Sequence, residues 1–411
     1  MTIAPTLGLR EHLTQKANLK HTRYGWLRLT PAYSVHLVAE LLGTIPPQAL
    51  TVLDPFCGTG TTALVCAERG IPADTTDINP FLLWLAASKT RSYRPEELAA
   101  FEQLASRVAE TIVATGTNAH WTPPLHQIEK WWDERTLRLL SRLLSAIRET
   151  AADAPAATAD LLKVAFCRTL IERAQVSFGH QSMSFKKELN GALFPTDEFD
   201  VVWSWRTACR EIAQAARTEI KTEPRVLSCD ARRLSETLPH DHYTCVITSP
   251  PYPNRMSYIR ELRPYMYWLG YLKDGREAGE LNWQAIGGTW GCATSNVGKW
   301  MPEVERALPY AGFELILTQI AATSPLLSRY VHKYFYDMSA HIEQLLRVVR
   351  PGGSVHYIVG NSKFYEVLLP VEQIFAALFR ATGFEKVSVN TIRKRTSKKE
   401  LFEYVVSACK P

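Results

Sequence analysis

The stretch VLDPFCGTGTTALVCAERG, residues 52–70, decides the fold of this chain. It is typical of a short buried strand, a turn that contains Gly58 and Gly60, and a helix that begins near Thr61. Glycines allow positive φ or a close approach of the backbone to a ligand, and the first turn of a helix offers N–H groups without intrahelical partners. A dinucleotide fingerprint would need a third glycine about where Thr62 stands. The stretch therefore predicts a ligand-binding loop of another kind in an α/β sheet.

Other short apolar runs predict the rest of the sheet. Strands are expected at 50–54, 71–77, 225–230 and 243–248, and a fifth at 352–361 after an amphipathic helix that includes 342–351; the C-terminal 385–409 is expected to form two strands joined by the basic turn 394–399. The first four runs end near an acidic or hydroxyl residue and a loop. That pattern is typical of a parallel sheet with a site at the carboxyl ends of its strands.

The segment 91–224 has a different pattern from its surroundings. Apolar residues recur at helical spacing over 98–113, 136–147 and 159–174, which predicts amphipathic helices. We therefore expect one sheet domain formed by 1–90 and 225–411, with residues 91–224 as a helical insertion.

Composition excludes several classes of protein. The 411 residues are 46% hydrophobic and 21% charged, which is typical of a soluble globular chain. The sequence contains no run of about 18 apolar residues, so no membrane span is predicted. The N-terminus lacks the apolar core of a secretory signal. The eight cysteines form no C-x-x-C pair, and His12, His21, His240 and His242 show no ligand spacing. Neither a metal site nor disulfides are therefore expected. A cytoplasmic location is therefore expected. The net charge of +6 mildly favours a polyanionic partner.

Two of the acidic residues at predicted strand ends are candidates for binding a ligand. Asp77 comes about 20 residues after the glycine loop, where a carboxylate can accept from both hydroxyls of a ribose. Asp230 follows the third predicted strand and can accept from an adenine amino group. For each of them the alternative is a helix N-cap.

The tetrapeptide Ser249-Pro250-Pro251-Tyr252 ends the strand predicted at 243–248. Proline has no N–H and pushes the preceding residue to an extended conformation. The chain therefore leaves the strand as a rigid elbow that carries Ser249 and Tyr252. The alternative is a proline-rich turn without a function.

Taken together, DPFCGTGTT (54–62) and TSPPY (248–252) resemble the S-adenosylmethionine-dependent amino-methyltransferases of DNA, and SPPY is similar to the cytosine-N4 branch. The resemblance covers about 25–90 and 225–411. It implies a Rossmann-like class I methyltransferase fold, with a seven-stranded, mostly parallel sheet whose last strand is antiparallel. It also implies a site for S-adenosyl-L-methionine formed by Asp54, Pro55, Phe56, Cys57, Gly58, Gly60, Thr61, Thr62, Asp77, Ile78, Asp230 and Ala231, with Pro31 and Ala32 closing over the methionine end.

The same resemblance gives the elbow a catalytic role. The Ser249 hydroxyl and the Pro250 carbonyl would accept from the two N–H groups of the cytosine amine, and Tyr252 would offer a flat face to a base extruded from the duplex. Cytosine-C5 enzymes need a cysteine in this loop, but the nearest thiol, Cys245, lies inside the predicted strand. Adenine-N6 enzymes usually carry an acidic residue at the position of Ser249, so the serine favours cytosine.

The expected partner is double-stranded DNA, with a restriction endonuclease as the companion enzyme if the chain belongs to a restriction–modification system. Target recognition is expected either in the helical insertion, where Lys186 and Lys187 lie, or in 253–330, where Arg255 follows the elbow. Tyr265, Trp268 and Leu272, at helical spacing, are expected to be core residues. Adenine-N6 methylation, RNA methylation and a catalytically silent nucleic-acid-binding protein are the alternatives.

Overall fold

The computed structural model describes most of the chain. The described residues are 18, 22–27, 29, 32–43, 50–114, 121–177, 184–185, 197–254, 258–288, 292–304, 306–395 and 400–411. Among these residues, none of the helices combines the length and the apolar character needed to cross a membrane.

Seven of the eleven strands found in the described residues form one sheet. The strands are β1 (Val52–Asp54), β2 (Ala73–Asp77), β3 (Val176–Ser177), β4 (Ser184–Phe185), β5 (Arg225–Ser228), β6 (Tyr243–Thr248), β7 (Val349–Gly360), β8 (Ser362–Phe364), β9 (Val367–Leu369), β10 (Glu385–Lys394) and β11 (Phe402–Cys409). The order in the large sheet is β10-β11-β7-β6-β1-β2-β5, and β3-β4 and β8-β9 form two small sheets.

Strand directions confirm the predicted fold class. The pairs β1–β2, β1–β6, β2–β5 and β6–β7 are parallel. The last strand, β11, is antiparallel to both of its neighbours, β7 and β10. The Rossmann-like methyltransferase sheet is therefore present. One predicted boundary was wrong: β7 begins at Val349, inside the predicted helix, because Val349 already pairs with Tyr243 of β6.

Helices pack on the sheet and also form most of the insertion. They are α1 (Val35–Leu42), α2 (Thr61–Arg69), α3 (Pro80–Thr90), α4 (Pro95–Ala114), α5 (Glu134–Thr150), α6 (Ala156–Glu172), α7 (Glu198–Ala216), α8 (Leu234–Thr237), α9 (Tyr258–Trp268), α10 (Gly275–Gln284), α11 (Cys292–Lys299), α12 (Phe313–Ala321), α13 (Pro325–Val348) and α14 (Val371–Thr382). Three-residue 3₁₀ helices lie at Arg23–Gly25, Ile128–Lys130 and Ala231–Arg233.

Helices α4 to α7 lie between β2 and β5 in the chain, and they share a core with the sheet domain. Tyr265, Trp268 and Leu272 are buried in that core, as predicted. The Trp268 ring packs edge-on against Trp132 and Phe166 of the insertion. The insertion is therefore joined to the segment that follows the elbow by a continuous apolar core.

Arg23 links the N-terminal segment to the ends of two helices. Its guanidinium donates to the carbonyls of Lys89 and Arg91 at the end of α3, at 3.0 and 2.5 Å, and to those of Ala216 and Thr218 at the end of α7, at 2.6 and 2.8 Å. Carbonyls at a helix C-terminus lack intrahelical donors and attract a cation. Burial lowers the pKa of Arg23 to about 10.

Candidate active site

The carboxyl ends of four adjacent strands bring the predicted site residues together. In the sheet, β6, β1, β2 and β5 are neighbours and parallel. Asp54 ends β1, Asp77 ends β2, and Thr248 ends β6 directly before the elbow. Asp230 follows the end of β5 by two residues. Parallel strands all end at one edge, so residues far apart in the chain form a single site there.

The glycine loop has the geometry that its sequence predicts. Gly58 and Gly60 have φ of 50° and 75°, a conformation that favours glycine. A Cβ on Gly60 would lie 3.1 Å from the Cβ of Ala86, so α3 leaves no room for a side chain there. Buried Lys89 donates from Nζ to the Thr59 carbonyl at 3.0 Å, and burial lowers its pKa to about 8. Contacts from Ala86 and Lys89 of α3 thus hold the loop in place.

Asp77 is oriented by backbone donors. Its Oδ1 accepts from the N–H of Asn79 at 2.9 Å, and its Oδ2 accepts from the N–H of Gly58 at 3.2 Å. Burial raises its pKa to about 6, against these hydrogen bonds and one from Ile78, which lower it. The N-cap of α3 is Asn79, whose side chain accepts from the N–H of Phe81. The N-cap alternative for Asp77 is therefore wrong, and its carboxylate is fixed beside the glycine loop.

Asp54 is a buried hydrogen-bond acceptor. Its Oδ1 accepts from Thr248 Oγ1 at 2.6 Å and from the N–H of Phe56 at 3.2 Å, and its Oδ2 accepts from the Tyr33 hydroxyl at 3.0 Å. Burial raises its pKa to about 7, and these hydrogen bonds oppose the shift. Tyr33 is also hydrogen-bonded to Thr62. The carboxylate therefore connects β1, β6 and the segment before α1.

Asp230 lies at the site, but Arg232 binds its carboxylate. Oδ1 accepts from the backbone N–H and from Nε of Arg232, at 2.9 and 3.0 Å, and Oδ2 accepts from Nη2 at 2.7 Å. The N-cap alternative is correct here, since Asp230 caps the 3₁₀ helix Ala231–Arg233. Burial alone would raise the pKa of Asp230, but the contacts from Arg232 outweigh it and lower the pKa. Arg232 also pairs with Asp337 of α13 at 3.3 Å.

The predicted cofactor residues fall into two groups by exposure. Those that keep exposed surface are Ala32, Phe56, Gly58, Asp77, Ile78 and Asp230; those that are buried are Asp54, Pro55, Cys57, Gly60, Thr61, Thr62 and Ala231. The buried side chains with polar groups support the loop: Thr62 Oγ1, for example, donates to the Ile247 carbonyl at 3.2 Å. Pro31 lies outside the described residues.

Phe56 forms an aromatic contact that supports one wall of the site. Its ring packs edge-on against His341, with centroids 4.8 Å apart. His341 is hydrogen-bonded to the Ala231 carbonyl through Nδ1, at 2.8 Å, and to the Tyr357 hydroxyl through Nε2, at 2.5 Å. Burial lowers its pKa to about 4, so the imidazole is neutral near pH 7.

The elbow is held at several points. Ser249 Oγ donates to the Ile358 carbonyl of β7 at 3.0 Å. The Pro251 carbonyl accepts from the Tyr334 hydroxyl at 2.7 Å, and the N–H of Tyr252 donates to the Tyr258 hydroxyl at 3.0 Å. These hydrogen bonds fix the position of the elbow relative to β7, α9 and α13.

Tyr252 contacts the C-terminal strands. Its hydroxyl donates to Glu403 Oε1 at 3.0 Å, and the guanidinium of Arg395 lies 5.7 Å from its ring centroid. A Cβ on Gly360 would lie 2.9 Å from its Cε2 atom. Burial and the Glu403 carboxylate raise the pKa of Tyr252 well above its usual value, so the phenol stays protonated.

Sequence reasoning missed the residues that hold the site. Tyr33, Lys89, Arg232, His341 and Glu403 were not singled out, because the role of each depends on contacts that form only in the folded chain. The three predicted DNA contacts, Arg255, Lys186 and Lys187, lie in parts of the chain that the structure does not describe.

The described residues fit S-adenosyl-L-methionine. Gly60 leaves the start of α2 without a side-chain cap, so backbone N–H groups there are available to a ligand. Asp77 presents an oriented carboxylate for ribose hydroxyls, and Phe56 and Ile78 provide partly exposed apolar surface for an adenine ring. No group of three or more metal-ligating side chains occurs in the part of the chain described here.

Comparison with known proteins points to one group of enzymes. The type II methyltransferase M.AvaI of Nostoc sp. is 22% identical over 437 aligned positions, which cover 96% of this chain and 87% of that protein. The chain is similar to type II methyltransferases. M.BsoBI of Geobacillus stearothermophilus is 21% identical, covering 94% of this chain and 83% of its own, and M.MvaI of Kocuria varians is 21% identical, covering 83% and 76%. No protein-family profile matches the chain.

Proposed function

We propose that this protein is a DNA methyltransferase that transfers a methyl group to the exocyclic N4 of cytosine. The cofactor is S-adenosyl-L-methionine, and we assign its ribose to Asp77 and its adenine to the surface formed by Phe56 and Ile78. Similarity to type II methyltransferases over 96% of the chain supports DNA as the substrate. The observation that carries the choice of base is the environment of Ser249.

The Ser249 hydroxyl is an acceptor in this arrangement. Its proton is donated to the Ile358 carbonyl, and its oxygen also lies beside the Tyr252 hydroxyl. A serine oxygen has two lone pairs, so one can still accept from an N–H donor. An exocyclic amine of cytosine is a poor nucleophile, since its lone pair is delocalised into the ring. Acceptors on its N–H groups favour the tetrahedral geometry that the nitrogen needs for attack. Ser249 Oγ and the Pro250 carbonyl are the two groups that we assign to this task.

When bound, S-adenosyl-L-methionine supplies a methyl group that is already activated on a sulfonium. The protein's own contribution is therefore positioning and electrostatics. The elbow fixes the acceptors, and the hydrogen bond between Thr248 and Asp54 ties β6, which leads into the elbow, to β1, which leads into the glycine loop. The methyl group of the cofactor and the amine of the base would thereby be held in a fixed relative position.

The Tyr252 ring is assigned to the extruded base. Unstacking and unpairing a base costs a few kcal/mol, and stacking on an aromatic face offsets part of that cost. The guanidinium of Arg395 lies over the ring, so the base would stack on the face opposite to Arg395.

Nucleoside mass spectrometry of DNA from cells that express the protein tests this proposal. N4-methylcytosine is the expected product, with a much lower amount in cells that express Ser249→Ala. N6-methyladenine would move the protein to the sister branch of amino-methyltransferases, and 5-methylcytosine would overturn the mechanism. Methylated RNA with unmodified DNA would overturn the substrate.

A further inference from the structure

A row of three residues crosses the C-terminal strands beside Tyr252. Glu403 of β11 pairs in register with Gly360 of β7 on one side and with Arg393 of β10 on the other. Residues directly opposite each other on neighbouring strands have their side chains in contact. Along this row, Gly360 has no side chain, Glu403 contributes a carboxylate and Arg393 contributes a guanidinium.

The gap at Gly360 is filled by Tyr252. A Cβ at position 360 would lie 2.9 Å from Cε2 and 3.2 Å from Cδ2 of Tyr252, and 3.0 Å from Nη1 of Arg395. The ring thus lies close against the β7 backbone. In that position its hydroxyl reaches the next residue of the row, Glu403 Oε1, at 3.0 Å.

The Glu403 carboxylate is nearly buried and fully engaged. Its side chain is 12% exposed, and a buried carboxylate is costly unless it is paired and hydrogen-bonded. Oε2 accepts from Arg393 Nε at 2.6 Å, which leaves Oε1 for the Tyr252 hydroxyl. An apolar residue at this position would need neither an ion pair nor a hydrogen bond. The presence of a carboxylate therefore indicates that its contacts with Arg393 and Tyr252 are needed.

We propose that Glu403 is a positioning residue that acts through the Tyr252 hydroxyl and fixes the plane of the ring that receives the target base. This inference rests on the proposed function, since it gives Tyr252 the base-stacking role. It adds a residue more than 150 positions away from the elbow to the catalytic machinery.

A double-mutant cycle between positions 403 and 252 tests the proposal. The assay counts labelled methyl groups transferred from S-adenosyl-L-methionine to DNA, whichever base accepts them. Glu403→Ala and Tyr252→Phe each remove the same hydrogen bond, and each is expected to lower kcat about tenfold, as for a bond to a charged group. The double variant is expected to lose no more than either single variant. Glu403→Gln, whose amide oxygen still accepts, should recover part of the loss.

The matched control is Glu400→Gln, which changes a glutamate that pairs with Lys363 at 3.1 Å instead of with Tyr252. It should leave kcat unchanged, and KM for S-adenosyl-L-methionine should be unchanged in every variant. Losses that multiply to about a hundredfold in the double variant would overturn the proposal, because Glu403 would then act through Arg393 or through stability.

A second readout does not depend on activity. With fluorotyrosine incorporated at position 252, the ¹⁹F resonance should shift and broaden in Glu403→Ala and stay in place in Glu400→Gln. An unmoved resonance in a folded Glu403→Ala protein would show that the carboxylate does not hold the ring. A wild-type protein that transfers no methyl group to DNA would instead refute the proposed function, and the resonance would still report on the link between Glu403 and Tyr252.

Discussion

Thr248 Oγ1 donates a 2.6 Å hydrogen bond to Asp54 Oδ1, and this bond joins the ends of β6 and β1. One strand leads into the elbow and the other into the glycine loop. The Asp54 carboxylate is buried, so loss of the Thr248 donor leaves it with one hydrogen bond fewer. We expect this loss to destabilise the carboxyl ends of both strands.

Thr248→Val removes this donor and keeps the shape of the side chain. We expect the free energy of unfolding to fall by about 1–3 kcal/mol, because a buried carboxylate loses one of its partners. The affinity for S-adenosyl-L-methionine should fall as well, since Asp54 also orients the N–H of Phe56. Urea unfolding and calorimetric titration measure the two effects.

The control for Thr248→Val is Thr244→Val, at the other end of the same strand. Thr244 Oγ1 accepts from the N–H of Thr51 at 2.9 Å, away from the glycine loop. It should cost stability without changing cofactor affinity. If both variants bind the cofactor as the wild type does, the bond between Thr248 and Asp54 has only a structural role.

The pKa of Asp77, about 6, predicts a pH dependence of cofactor binding. The ionised carboxylate accepts from ribose hydroxyls more strongly than the protonated group, in which one oxygen becomes a donor, so protons compete with the cofactor. Affinity should be constant above about pH 7 and should fall as the pH drops below 6, by up to about tenfold per pH unit. Asp77→Asn should bind more weakly at pH 8 and lose this dependence. Calorimetry at pH 5 and pH 8 checks both statements, and a wild-type affinity equal at the two pH values contradicts the role.

Ser249→Ala removes one acceptor from the amine. We expect kcat to fall by ~10²–10³, the loss seen when one group of a preorganised site is deleted. Tyr252→Ala should cost a similar factor, and Tyr252→Phe much less, because the ring itself is retained. Cofactor affinity should stay at the wild-type value in all three variants. Rapid-quench kinetics with labelled cofactor gives the rates, and a Ser249→Ala protein with the wild-type rate would exclude the hydroxyl from the reaction.

Gly360→Ala tests the ring position without touching Tyr252. The new Cβ would lie 2.9 Å from the Tyr252 ring, so the ring or Arg395 must move, at a cost of about 1–3 kcal/mol. We expect kcat to fall and the cofactor affinity to be unchanged. Gly275→Ala, where a Cβ meets nothing within 4 Å, is the matched control and should be neutral. Equal activity of the two variants would mean that the ring position is not important.

Local chemistry let the sequence predict most of the sheet and the two loops. Runs such as 243–248 are apolar and β-branched, and a proline pair must end a strand, so β6 and the elbow follow from residues that are neighbours in the chain. The glycine loop is predictable for the same reason, because glycine permits the positive φ that Gly58 and Gly60 adopt. The start of β7 at Val349 was missed because strand pairing, which is not local, overrode a helical pattern.

The supports of the site were decided by the tertiary structure alone. Thr248 meets Asp54 across 194 positions of the chain, and Tyr252 meets Glu403 across 151. Such contacts exist only because parallel strands end at one edge and the last hairpin packs beside them. They leave no periodic trace in the sequence, since a single polar side chain on a strand has the same pattern whether it faces solvent or a partner. The sequence alone therefore determined which loops form and what chemistry they can carry, whereas the assembled sheet determined which side chains hold those loops in place.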